Sequence, residues 1–185
     1  GVPQGVQRCG ACITAPLPFA NVAAAVDYGF PWSGLVIALK FHAALDLSDG
    51  LAQLLADAVR NSGAALTPLV LPVPLGRGRQ TERGMNQAWE LARRVAARLH
   101  LRSEAGLLAR RVETPHLADL PREERARAIR GAFALAPGAT TTLHGQDVAL
   151  VDDVMTTGAT AAEAARTLLG GGAASVQMWV FARTP

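Results

Sequence analysis

The sequence predicts an α/β domain with a central, mostly parallel sheet and helices on its faces. Three observations predict it. Short apolar runs suited to buried parallel strands recur at residues 22–28, 69–73, 148–151 and 175–181. Segments with apolar residues at helical spacing stand between or after them, at 31–43, 47–60, 86–100 and 159–169. Such alternation is characteristic of parallel strands joined by right-handed crossovers.

The elements follow in order. Residues 1–20 form an irregular arm carrying Cys9 and Cys12 as Cys-Gly-Ala-Cys. A closed tetrahedral zinc site needs four ligands, so half of a zinc finger, a redox pair and two unpaired thiols compete. Redox pairs sit at a helix start, and residues 13–18 offer no helix, which favours half a finger. In 31–43, Leu35, Val36 and Leu39 share a face and Pro31 suits the first turn. In 47–60 the stripe is Leu47, Leu51, Leu54, Leu55, Ala58 and Val59, stopped by Asn61-Ser-Gly63. Pro72 and Pro74 end the ladder of 69–73, and residues 75–84 read as a loop bearing Arg77, Arg79 and Arg83. Asn86 caps the next helix, with Ala88, Leu91, Ala92, Val95 and Leu99 inward. Residues 107–111 and 133–135 read as short strands. Between them, 112–130 is polar, charged and broken by Pro115 and Pro121, and reads as a mobile loop with one helical turn.

At 185 residues the chain fits one main domain. It has no apolar run long enough to span a bilayer and no signal peptide, so a soluble, cytoplasmic protein with no membrane partner is expected. Net charge is +3, yet residues 70–130 hold thirteen Arg against seven acids. Arg grips phosphate in a planar fork, so this segment suits pyrophosphate or nucleic acid. Against nucleic acid stands the scarcity of stacking platforms, with nine aromatic residues in all. His42, His100, His116 and His144 are isolated and none has metal-ligand spacing.

Residues 148–160 read Val-Ala-Leu-Val-Asp-Asp-Val-Met-Thr-Thr-Gly-Ala-Thr. A buried strand ends at two adjacent carboxylates, and a Thr/Gly turn leads into a helix. Acids suited to a diol thus stand beside a helix N-terminus, whose N–H groups and dipole attract phosphate. The string resembles the 5-phosphoribosyl-1-pyrophosphate (PRPP) motif of type I phosphoribosyltransferases.

Further strings extend the likeness. Tyr28 leads through Trp32 to Ile37-Ala-Leu-Lys40-Phe, then come Leu71-Pro-Val-Pro-Leu75, Arg79, Glu82-Arg-Gly-Met-Asn-Gln-Ala88, Arg125 and Arg130-Gly-Ala-Phe133. This ordered set resembles the ComF family, phosphoribosyltransferase-like proteins linked with bacterial competence and DNA uptake. The resemblance implies the type I phosphoribosyltransferase fold over 21–185 with a mobile hood loop, and 1–20 as the remnant of a zinc-finger region. Members carry two zinc-binding CxxC pairs where one stands here. The chain also departs from the family in Thr114-Pro-His-Leu117, where Thr-x-x-Gln is usual, and in Ala128, where Asn is usual.

The resemblance further implies roles. Asp152 and Asp153 hold the ribose hydroxyls and are the catalytic pair. Thr156, Thr157, Gly158, Ala159 and Thr160 bind the 5′-phosphate, while Pro72, Val73, Pro74, Arg79 and Arg83 face pyrophosphate. Mg²⁺ comes with PRPP, and Zn²⁺ at Cys9 and Cys12 belongs to the full-length protein. The expected function is phosphoribosyl transfer, a glycosyltransferase reaction, to an unknown acceptor. Thr156 stands where 6-oxopurine salvage enzymes carry an acid, which disfavours that substrate class. The rival is a non-catalytic competence factor binding single-stranded DNA or a DNA-uptake helicase.

Overall fold

The computed structural model describes residues 16–41, 45–112 and 122–184. Cys9, Cys12, Thr114, His116 and His42 lie outside them. The elements are β1 (Asn21–Asp27), α1 (Trp32–Phe41), α2 (Leu45–Asn61), β2 (Leu69–Pro72), α3 (Arg77–Arg83), α4 (Gln87–Leu99), β3 (Arg102–Ser103) and β4 (Leu108–Arg110). After these come α5 (Arg122–Ala128), β5 (Phe133–Leu135), α6 (Ala139–Leu143), β6 (Asp147–Met155), α7 (Ala159–Gly170) and β7 (Ser175–Arg183).

Five strands form the central sheet in the order β1-β7-β6-β2-β3, and every pairing in it is parallel. β4 and β5 pair antiparallel in a sheet of their own. This is the helix-flanked, mostly parallel sheet expected of the type I phosphoribosyltransferase fold.

Alternate residues of the inner strands feed two cores, as they must when both faces are covered. Leu69, Leu71, Val148, Leu150, Met178 and Val180 pack with Ala161, Ala164, Ala165 and Leu168 of α7. Val70, Ala149, Val151, Trp179 and Phe181 pack with α1, α2 and α4 on the other face. In α2 the buried stripe is Leu51, Ala52, Leu55, Ala56 and Val59, and Leu54 is left 39% exposed. The small Ala52 and Ala56 turn the stripe's centre away from Leu54.

Five segments differ from expectation. Residues 77–83 form α3 rather than a loop. None of its residues is buried, so no apolar period announces it. It ends at Gly84, whose φ of 70° lets its N–H reach Gln80 O. β3 and α6 are too short to carry a period. Within the loop expected at 112–130, α5 is a seven-residue helix, and residues 113–121 lie outside the described set. β6 continues through the acidic pair to Met155, because β7 supplies partners as far as Arg183.

Candidate functional site

β2 and β6 are neighbours in the sheet, and the site lies at their carboxyl ends, where open α/β sheets bind ligands. Asp152 pairs with Val180, so the acids sit inside the strand and not after its end at Val151. Neighbouring strand residues point to opposite faces, yet both acids line one cavity of about 220 Å³. Regular alternation breaks here. Met155 joins the core beneath α7, while Val154 packs against the opposite one.

The two carboxyls are tied together. Asp153 donates its backbone N–H to Asp152 Oδ1 at 2.9 Å. From α1, Lys40 brings Nζ to 3.2 Å from Asp153 Oδ2. Burial, followed by the charge of Asp153, pushes the Asp152 carboxyl up to about 8, although Lys40 opposes the rise. This shift favours the neutral form of Asp152.

The facing wall comes from the segment after β2. Val73, Pro74 and Leu75 line the cavity, with Arg79 and Arg83 of α3, Asn86 and Gln87 at the start of α4, and Arg110 of β4. Four cations, counting Lys40, thus surround two acids, an arrangement suited to a polyanion.

Asn86 fixes this wall. Its Oδ1 accepts from the N–H groups of Ala88 at 3.0 Å and Trp89 at 3.4 Å, capping α4. Its Nδ2 donates to Val73 O at 3.2 Å. Gln87 is buried, and its Oε1 accepts from Arg83 Nη1 at 3.3 Å. That contact orients the amide, whose Nε2 has no acceptor.

The residues expected to form a phosphate loop divide. Thr156 and Thr160 line the cavity with the acids, whereas Thr157 and Ala159 line a separate one of about 200 Å³ beside Leu17 and Ile129. Gly158 links them with a φ of 75°, and a Cβ there would stand 3.1 Å from Leu17 Cδ1. α7 has Gly158 at its N-cap position, which has no side chain to cap with. Its first intrahelical bond is Ala162 N–H to Gly158 O, and the Thr157 hydroxyl takes Ala159 N–H. Helix geometry leaves the N–H groups of Thr160 and Ala161 without an intrahelical acceptor. Pro72 does not line the cavity; it is buried in β2 and pairs with Val151.

Lys40, Arg110, Asn86 and Gln87 were given no site role by sequence reasoning. One signal was available for Lys40. It is the single Lys beside 17 Arg, and a lone exception in an Arg-biased chain points to a place that needs a compact ammonium. Arg110 carries no such mark. Among the described residues no three His, Cys, Asp or Glu side chains cluster as metal ligands. No described helix is long and apolar enough to cross a membrane.

No protein-family model matches the chain. DNA utilization protein YhgH of Escherichia coli (strain K12) is 36% identical over 182 residues, covering 95% of this chain and 78% of the relative. Competence protein F of Haemophilus influenzae is 32% identical over 181 residues, covering 96% and 79%. Among solved structures, glutamine PRPP amidotransferase from B. subtilis, complexed with ADP and GMP, matches at a TM-score of 0.47 and 18% identity, over 72% of this chain and 25% of that one. At the identities and coverages of the sequence relatives, the chain belongs to the competence protein F (ComF) family.

Proposed function

We propose that the cavity binds PRPP or another ribose 5-phosphate ligand and that the protein transfers the phosphoribosyl group to an acceptor, in cytoplasmic DNA handling of the kind its relatives' names indicate. One observation carries the reading: a single cavity gathers Asp152, Asp153, Thr156, Thr160, Arg79 and Arg83.

In this reading the carboxyls take different parts on the ribose. Protonated Asp152 donates to one hydroxyl, and the Asp153 carboxylate, held by Lys40, accepts from the other. The N–H groups at the start of α7 hold the 5′-phosphate. Arg79 and Arg83 face the pyrophosphate, and the Gln87 amide offers its unused donor to an oxygen there. As the C1′–O bond breaks, negative charge gathers on the leaving pyrophosphate, and the fixed guanidinium groups stabilise it where it develops. Holding the ribose from both sides keeps C1′ oriented for attack.

Mg²⁺ on the ligand's phosphate oxygens would supply further charge neutralisation. The acidic pair is a poor cage for it, with one carboxyl tied to Lys40 and the other accepting from the Asp153 N–H. That fits a metal carried by the ligand.

Calorimetry tests the reading with PRPP and Mg²⁺. Wild type binds, and Asp152→Asn/Asp153→Asn weakens binding at least ~10-fold, the loss expected when one ribose hydroxyl loses the charged Asp153 as its partner. Absence of heat with wild type ends the reading.

A further inference from the structure

We infer that two copies of this chain pair through β1, antiparallel about a two-fold axis at Ala24, so that their central sheets run on as one. β1 stands at one end of the sheet, and among the described residues it pairs with β7 alone. The strand's two ends fix which backbone groups are spare. Ala20 and Tyr28 donate their N–H groups to Val176 O at 2.8 Å and Arg183 O at 2.7 Å, both in β7. Backbone groups alternate in direction along a strand, so those of Asn21, Ala23, Ala25 and Asp27 turn outward. Edge strands are usually kept from pairing by Lys, by Pro or by being very short. The seven residues Asn-Val-Ala-Ala-Ala-Val-Asp hold neither Lys nor Pro.

What makes a second copy the occupant is the strand's own symmetry. Across a two-fold axis the same patch must complement itself, and Val22-Ala-Ala-Ala-Val26 reads alike in both directions around Ala24. With Ala24 on the axis, Val22 faces Val26 of the other copy and Ala23 faces Ala25. Asn21 then faces Asp27, so no like charges meet. The outward groups of Asn21, Ala23, Ala25 and Asp27 fall opposite one another and close a ladder. Ala24 itself is exposed, as a residue on such an axis must be.

The helix above the edge fits the same axis. α2 packs on β1 and β7, while α4 lies further in, on β2 and β6. Asp49 and Gln53 of α2 face α4, taking Arg94 and Arg98. Leu54 stands about 140° round the helix from Asp49 and about 100° from Gln53, with Gly50 and Ala58 about 40° to either side of it. That row is turned away from α4, toward the free edge of β1. It carries no charge, Leu54 is 39% exposed, and a Cβ on Gly50 would meet nothing within 4 Å. Pairing of β1 sets the row against its own copy, which takes Leu54 out of water. A strand of another protein could use the same backbone groups, but it has no use for the symmetry of 22–26. The antiparallel arrangement points the carboxyl ends of the two sheets in opposite directions, so each acid-lined cavity stays whole within one copy. None of Ala24, Gly50 and Leu54 lines that cavity, and the inference does not depend on the ribosyl reading.

Sedimentation equilibrium on the whole chain tests it. Wild type should pass from monomer to dimer as its concentration rises. Ala24→Lys puts two ammonium groups face to face on the axis and should weaken the dimer at least about tenfold, as should Leu54→Glu. Ala24→Thr, neutral and suited to a strand, should keep it. Should a charged variant fail to fold, Ala24→Cys decides. Its two sulfurs would meet across the axis in a non-hydrogen-bonded pair, where side chains come closest, and mild oxidation should join two copies by a disulfide that mass spectrometry places at position 24. A wild type that stays monomeric at every concentration overturns the inference. So does a dimer that Ala24→Lys and Leu54→Glu both leave intact, or a thiol at position 24 that joins no second copy.

Discussion

One wall of the acid-lined cavity is an inner strand of the sheet, while the arginine-bearing wall opposite is a seven-residue helix with no buried residue. β6 has hydrogen-bonded neighbours on both sides, and Val148 through Val151 are fully enclosed. α3 is bounded by Gly76 and Gly84 and makes no cap through a side chain at its start. The sheet therefore sets the acids to within the tolerance of a packed core, whereas the arginines rest on a segment of low local stability. On the proposed reading, the ribose hydroxyls would meet the fixed wall and the pyrophosphate the adjustable one.

The contrast can be broken by mutation, and the largest effect belongs to the strand. Leu150→Ala, beneath the acids, should cost about 2–5 kcal/mol in urea unfolding, whereas Arg79→Ala should stay within about 0.5 kcal/mol. Comparable costs would mean that α3 is as firmly built as the sheet. Next comes Asn86→Ala, which removes the α4 cap and the tie to Val73 O; a loss of about 1–2 kcal/mol is expected by the same measurement.

The last effect concerns Asp152 and is read as a slope against pH, not as a loss at one pH. Its carboxyl is raised from an ordinary 3.8 to about 8 in the folded protein. Between those values the native state keeps a proton that the unfolded chain has released, so this group makes stability fall as pH rises through the interval. Asp152→Asn should remove that slope, and its melting temperature should gain on wild type from pH 5 to pH 8. Parallel curves for the two proteins would place the proton elsewhere.

The legible and the hidden parts of the fold divide along the same line. Strands β2, β6 and β7 and helices α2, α4 and α7 bury apolar residues at regular spacing, so the sequence announces them. The Asn86 cap was legible for the same reason, since a cap needs only the residue and the apolar run after it. α3 was hidden because Arg-Gly-Arg-Gln-Thr-Glu-Arg has nothing to bury. At the site, the acids and Thr residues could be picked out because one contiguous string holds them. Lys40 and Arg110 reach the cavity from α1 and β4, elements far from that string in sequence, and only the tertiary fold brings them in. The division of Thr156 and Thr160 from Thr157 and Ala159 was equally invisible, because it depends on Leu17 and Ile129 packing under the turn.

The bond from Asn86 Nδ2 to Val73 O has a consequence for how such a chain can vary. By joining the end of β2 to the start of α4 across 13 positions, it turns the residues between into an excursion whose two feet are already pinned. Lengthening a closed loop is inexpensive, about 0.6 kcal/mol for each doubling. Insertions or deletions within 75–84 would then leave the sheet and its acids undisturbed and alter only the reach of the arginines. Natural length variation in this family should gather there, making that excursion the part of the molecule where ligand preference can change without refounding the fold.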